Sequence, residues 1–193
     1  MSPRTSDARE RMLDSASTLI REHGASGTSL DDILRHSRAP RGSVYHHFPG
    51  GRAQLIEEVV DRAGGALAAI LGDAGDATPA TTFDVFISTW KAGLEASGFR
   101  AGCPVLAVAV ETNDDAPQLT EAAARAFGSW RDALNTVLRH QGVPPARARR
   151  LATLIVAAVE GAVALSRVER NTQPIDDVAR ELRALIRQAT DAS

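Results

Sequence analysis

The stretch TSLDDILRHSRAPRGSVYHHF, residues 28–48, most narrows the folds open to this chain. It reads as two short helices joined by a sharp turn. Ser29 can cap the first helix through its hydroxyl, and Asp32, three residues on, can return the bond at the positive end of the helix dipole. Leu30, Ile33 and Leu34 then fall at i, i+3 and i+4, one apolar stripe on a very short helix. Pro40 cannot continue it, because it lacks an N–H and biases Ala39 away from the α region. A second helix starts near Arg41, with Val44 and Phe48 four apart and facing inward. Arg41, Ser43, Tyr45 and His46 are left on its other faces. So short a helix does not fold alone, and its polar face is wider than solubility requires. The pair is a helix-turn-helix candidate, with the second helix able to enter a DNA major groove.

Composition excludes several alternatives. Of 193 residues, 44% are hydrophobic and only 4% aromatic, with Ala and Leu prominent, which favours helices. No alternating strand run bounded by turn residues occurs, so the expected fold is all-α. Residues 1–10 are polar and unlike a signal peptide. The apolar run 151–165 is interrupted by Thr153, Glu160 and Gly161 and is expected to be too short and too polar to span a bilayer. A cytoplasmic protein is therefore expected. Cys103 is the only cysteine, which excludes an internal disulfide and a cysteine-based metal set. His46 and His47 are adjacent and point about 100° apart on a helix, and His36 has no ligand spacing, so neither a metal site nor a cofactor is expected. There is no GxSxG, Gly-rich phosphate loop or HExxH, so an enzyme is not expected. The net charge of −2 hides an uneven distribution. Residues 1–52 carry eight Arg against six acids and four of the five His, so the basic balance lies with the helix-turn-helix candidate.

The runs GTSLDDI and GSVYHHF, followed by RAQLIEEVV, resemble the DNA-binding domain of the tetracycline-repressor (TetR) family over roughly residues 5–65. PGG at 49–51 and GCPVLAVAVE at 102–111 resemble its LmrA/YxaF-like branch. The resemblance implies about nine helices. Residues 5–65 would bind DNA, and residues 66–193 would bind ligand and dimerise. The implied activity is that of a homodimeric transcriptional regulator, a repressor released from a palindromic double-stranded operator by a small, largely apolar effector. On the recognition helix, Tyr45 matches a position that commonly meets a phosphate. Arg41 and Ser43 suit base edges, Arg because it can bond guanine O6 and N7 together. Gly42 would let the backbone approach closely. His46 suits a phosphate or base, whereas His47 can equally pack beneath the helix. Arg52 matches the usual basic residue after the motif, and Thr28 and Ser29 would add contacts at a helix start. Arg38 departs from the family, which usually has Gly in a turn needing φ > 0, a conformation costing a non-Gly residue about 1 kcal/mol. Either Pro40 rebuilds the turn or Arg38 is strained, with a phosphate contact in exchange.

The first helix is expected from Ser6 or Asp7 to His23, stopping at Gly24, with Met12, Leu13, Ala16, Leu19 and Ile20 as its stripe. A long helix follows from Arg52 to about Leu71, then a linker from Gly72 to Ala80. Further helices are expected at 81–97, 104–111, 116–140, 145–170 and 174–190, with a break at Asn113-Asp114-Asp115. The candidate ligand pocket comprises Phe86, Trp90, Val105, Val108, Phe127, Trp130 and Leu134, most of which also read as core. Glu160, inside LIVAAVEGAVAL, needs a partner or a raised pKa. An internal pair with an Arg or a polar network explains it better than a ligand contact does, and Glu111 shares the ambiguity. The helix at 145–170 is apolar on nearly all sides between Leu151 and Leu165 and must be covered on both faces. With Val178, Leu182, Leu185 and Ile186 of the last helix, and small Ala157, Ala158, Gly161 and Ala162 permitting close approach, it is expected to form a four-helix dimer interface. Two other classes remain open. One is a helical ligand-binding or adaptor protein whose head has lost DNA binding, with Arg38 as the lesion. The other is a helical enzyme using Glu111 or Glu160.

Overall fold

The computed structural model describes residues 3–72, 79–111 and 115–191. Among these there are nine α-helices, one 3₁₀ turn and no strand. The helices are α1 (Pro3–His23), α2 (Leu30–Ser37), α3 (Val44–His47), α4 (Gly51–Gly72), α5 (Pro79–Ala96), α6 (Pro104–Ala109), α7 (Pro117–His140), α8 (Pro145–Glu169) and α9 (Gln173–Asp191). The 3₁₀ turn, Arg41–Ser43, leads into α3. α1 starts earlier than its capping residues suggested, and the middle of the expected 72–80 linker, like Asn113 and Asp114, lies outside the described residues. The chain forms two compact units. One joins residues up to Ala63 with Cys103–Arg125; the other joins Gly64–Gly102 with residues from Ala126 onward. The expected boundary at 65/66 therefore falls inside α4, and α6 with the first part of α7 belongs with the N-terminal helices.

In the first unit, Met12, Leu13, Ala16 and Ile20 of α1 are buried, together with Ile33 and Leu34 of α2 and Val44 and Phe48 around α3. Leu55, Ile56, Val59 and Val60 of α4 and Val105 and Val108 of α6 complete this core. Burying each such side chain stabilises the fold by about 1.5–3 kcal/mol, which is what holds the four-residue α3 in place. Leu19 and Leu30 are only half-buried, so both stripes are narrower than expected. Arg9 lies over the Phe48 ring, 5.2 Å from its centroid, and is ion-paired with Glu58. Arg125 spans Glu57 and Asp61 at 3.1 Å, and these two carboxylates hold its guanidinium above its ordinary pKa, hydrogen bonding to Asp61 contributing most.

The second unit is built on α8 packed against α9, with α5 against both. Phe83, Phe86, Ile87 and Leu94 of α5 are buried, as are Trp130, Leu134 and Leu138 of α7. Where α4 meets α7, a methyl group on Gly64 would lie 2.7 Å from the Ala126 Cβ, so only glycine fits there. The Trp130 indole N–H donates to the Gly64 carbonyl at 2.8 Å across the same crossing. Lys91 and Asp176 pair at 2.7 Å, and this bond, ahead of one from Thr172, holds the Asp176 carboxyl below its ordinary pKa.

α8 has two unlike faces. Leu151, Ile155, Val159 and Val163 are buried within the unit, whereas Leu154, Leu165 and Val168 are 45%, 54% and 83% exposed. Ala157, Gly161 and Ala164 lie exposed between them, completing an apolar stripe at helical spacing. Leu182 and Ile186 of α9 are 3% exposed and belong to the protomer's own core, which corrects their expected place in a dimer interface. α9 has a single apolar stripe, and α8 and α5 of the same chain cover it; Val178 and Leu185 remain half-exposed. Contrary to expectation, α8 is by length and composition apolar enough to cross a membrane, the only such helix among the described residues. Half of that apolar window is buried inside the protein, as in the core helix of a folded domain.

Candidate nucleic-acid interface

The expected capping box forms. The Ser29 hydroxyl accepts from the Asp32 N–H at 3.1 Å, and the Asp32 carboxylate accepts from the Ser29 N–H at 3.1 Å. The Ser29 hydroxyl donates to the same carboxylate. These bonds, with Arg35 alongside, hold the Asp32 carboxyl below its ordinary pKa. At the other end of α2, Arg38 sits at φ 53° and ψ 31°, left-handed, and its N–H closes the helix on the Leu34 carbonyl. Pro40 does not remove the need for positive φ; Arg38 carries it. The Ser43 N–H and hydroxyl both donate to the Pro40 carbonyl, at 2.9 and 2.6 Å, and start the recognition helix as a 3₁₀ turn.

Beyond this turn, Arg38, Arg41, Gly42, Tyr45 and His46 are all exposed, while Val44 and Phe48 anchor the opposite face. A Cβ on Gly42 would meet nothing within 4 Å, so nothing in the protein itself demands glycine there. The Tyr45 side chain is 67% exposed in spite of its size. Arg41 is paired with Asp31 at 2.8 and 3.1 Å, with both side chains well exposed. An ion pair so exposed is worth at most about 1 kcal/mol, so a guanine or phosphate can displace Asp31. His47 is half-buried, with its ring edge-on to those of His46 and Phe48, which favours the packing role over contact.

Two expected contact residues are used otherwise. Thr28 is 1% exposed and its hydroxyl donates to the Gly24 carbonyl at 2.8 Å, so it cannot reach a ligand. Arg52 is half-buried, and its guanidinium donates to the Thr28 carbonyl at 2.9 Å and to the Ala25 carbonyl. It shapes the α1–α2 turn instead of standing ready for a phosphate. Ser29 is exposed, but its hydroxyl is engaged in the cap.

The expected pocket residues separate. Phe86, Trp90, Phe127, Trp130, Leu134 and Glu160 lie in the second unit, whereas Val105, Val108 and Glu111 lie in the first. Val105 and Val108 are fully buried core residues. Glu111 accepts from the Ser26 N–H at 2.8 Å and the Ser26 hydroxyl at 2.7 Å, so its carboxylate is engaged by the α1–α2 turn. Phe86 and Trp130 are 2% and 1% exposed, and Leu134 and Glu160 are also buried. The Trp90 indole N–H and the Asn135 Oδ1 are buried and find no hydrogen-bond partner among the described residues. No group of three or more metal-ligating side chains occurs among the described residues.

A capped α2, a left-handed turn and a short recognition helix with its polar face turned to solvent define a helix-turn-helix DNA-binding module. Comparison with known proteins agrees. Residues 12–64 match the family described as "Bacterial regulatory proteins, tetR family". Residues 79–181 match "Transcriptional regulator LmrA/YxaF-like, C-terminal domain". The chain is 45% identical over 184 residues to the HTH-type transcriptional regulator Rv0196 of Mycobacterium tuberculosis, covering 92% of this chain and 93% of that one. It is 32% identical to the HTH-type transcriptional regulator LmrA of Bacillus subtilis, covering 88% and 91%. A TetR transcriptional regulator from Chloroflexus aurantiacus superimposes with a TM-score of 0.79 at 28% identity, over 97% of this chain and 98% of that one. The chain belongs to the TetR family, in its LmrA/YxaF-like branch, and is a DNA-binding transcriptional regulator, not an enzyme.

Proposed function

We propose that the chain is a cytoplasmic repressor that acts as a homodimer on a palindromic operator and is released by a small, largely apolar molecule. The observation that carries this reading is the exposed stripe of Leu154, Ala157, Gly161, Leu165 and Val168 on α8. An apolar helix face of this length exposes surface whose burial is favourable, and its small residues let a second helix approach. A symmetric dimer through this face brings two recognition helices to one duplex. Their separation must match one turn of DNA, about 34 Å, for both to enter successive major grooves. Arg38, Arg41, Gly42, Ser43, Tyr45 and His46 are the residues that meet DNA in this reading. Because the left-handed turn forms around Arg38, the reading of an adaptor with a damaged head loses its motive.

The effector site is assigned to the second unit, around Phe86, Trp90, Phe127 and Leu134. The Trp90 N–H supports this, because a buried donor without an acceptor favours a ligand that brings one. An effector repositions the heads only to the extent that it binds one spacing more tightly. Moving the population from 1:99 to 99:1 needs about 5.5 kcal/mol of differential affinity. Sedimentation tests the assembly, with a dimer expected at micromolar concentration and one dimer bound per palindrome. A stable monomer binding a half-site just as tightly would overturn it. An effector that releases DNA is expected to change tryptophan fluorescence and the distance between spin labels placed on the two recognition helices.

A further inference from the structure

The turn between α1 and α2 is gripped from two sides, and one grip comes from beyond the helix-turn-helix sequence. Arg52 of α4 donates to the carbonyls of Ala25 and Thr28. Glu111, two residues past the end of α6, accepts both the N–H and the hydroxyl of Ser26, at 2.8 and 2.7 Å. A methyl group on Gly24 would lie 2.8 Å from the other carboxylate oxygen, and Gly24 has φ +81°, so the turn is shaped to receive the Glu111 carboxylate. Three residues after Ser26, Ser29 caps α2. A shift of this turn therefore moves the start of α2, which leads through its left-handed end at Arg38 and the Asp31–Arg41 pair to the recognition helix.

We infer that Glu111 is a positioning residue for DNA binding, its carboxylate fixing the α1–α2 turn and hence the attitude of α2 and the recognition helix. Gly102 belongs to the second unit and Cys103 to the first, so α6 and Glu111 are part of the same unit as the helix-turn-helix although they lie far beyond it in sequence. The inference rests on the operator-binding reading above, and its test keeps the two apart.

A duplex is selected from a random library with the full-length protein, and affinity is compared for wild type, Glu111→Ala, Glu111→Gln, Ser26→Ala and the Ser26→Ala/Glu111→Ala pair. Losing hydrogen bonds to a charged acceptor is expected to weaken operator binding about tenfold in Glu111→Ala with Tm little changed. Glu111→Gln, which keeps an acceptor oxygen, should fall between that variant and wild type. Adding Ser26→Ala to Glu111→Ala should change nothing further. Amide exchange should quicken across residues 25–30 in Glu111→Ala and stay the same in α8 and α9. A purely structural role would instead lower Tm and quicken exchange throughout the first unit. Wild-type affinity and wild-type exchange in Glu111→Ala would overturn the inference. If Glu111→Ala does not fold, Ser26→Ala must show the weakened binding and local exchange, and wild-type behaviour in it overturns the inference. If no duplex is selected, the operator reading fails, and the exchange comparison alone still decides whether Glu111 positions the turn.

Discussion

Replacing Arg38 by glycine separates two roles that the sequence runs together. Arg38 is exposed and left-handed, at φ 53°. That conformation costs a residue with a Cβ about 1–2 kcal/mol, and glycine avoids the cost. Glycine also adds freedom to the unfolded chain, returning about 0.5–1 kcal/mol of it. No side-chain hydrogen bond or ion pair of Arg38 among the described residues offsets the difference, and its N–H to the Leu34 carbonyl survives the change. Arg38→Gly should therefore stabilise the protein by about 0.5–1 kcal/mol. In a chain of this length that raises Tm by about 1–4 °C. Urea unfolding should show a higher midpoint at unchanged m-value. If Arg38 also meets a phosphate, the same variant binds operator more weakly, and the slope of log affinity against log salt flattens by about one for each phosphate that is no longer neutralised. Arg38→Asn, which tolerates the left-handed region without charge, should reproduce the DNA effect. A glycine variant less stable than wild type would refute the strain argument. An unchanged salt slope would remove Arg38 from the residues that meet DNA.

Other outcomes follow from burial and charge. Leu154→Glu or Leu165→Glu, on the exposed face of α8, should yield folded monomers of undiminished helicity that no longer bind a full operator, as read by sedimentation and circular dichroism. Leu182→Glu instead places an unpaired carboxylate in the protomer core at about 3–5 kcal/mol, a large share of a typical domain's stability, and should unfold the chain; a folded monomer from it would contradict the assignment of faces. The Asp32 carboxyl is held below its ordinary pKa, so its contribution to capping α2 is complete above the unfolded carboxylate range. It is lost only as pH falls through the lower, folded value. The Asp32 contribution to operator binding should thus not change with pH between neutral and mildly acid conditions, and Asp32→Asn should abolish the acid-side loss of α2 protection seen by amide exchange.

The local features were legible and the assignments of faces were not. Ser29, Asp32 and Pro40 mark both ends of α2 because capping and proline geometry act within a few residues. The positive φ at Arg38 was suggested only by the resemblance to a family that usually has glycine there, and a turn rebuilt by Pro40 stayed open until the structure showed φ 53°. Thr28 and Arg52 were misread because their partners, the carbonyls of Gly24, Ala25 and Thr28, converge only after the α1–α2 turn has folded. Asp31, ten residues before Arg41, pairs with it across the turn, and no helical spacing reports such a pairing. α8 is apolar nearly all round, so its pattern could not say which side faces α9 and which faces outward. α9 has a clear stripe containing Leu182 and Ile186, but a stripe does not name the body that covers it. Glu111 stayed ambiguous between an internal pair and a pocket residue because Ser26, its partner, is 85 residues away.

The most direct test of the account is operator discrimination by the exposed face of the recognition helix. Wild-type protein and an Arg41→Ala/Tyr45→Ala/His46→Ala variant would be titrated by fluorescence anisotropy against a selected palindromic duplex and a scrambled one, over a range of salt. These three side chains project from a helix whose buried anchors, Val44 and Phe48, are untouched, so the variant should fold with a wild-type Tm. Wild type should prefer the palindrome by about 10³-fold or more, with affinity falling steeply as salt rises. The variant should lose that preference, Arg41 alone accounting for about 1–3 kcal/mol at a guanine. A folded variant that still discriminates between the duplexes as wild type does would contradict the account.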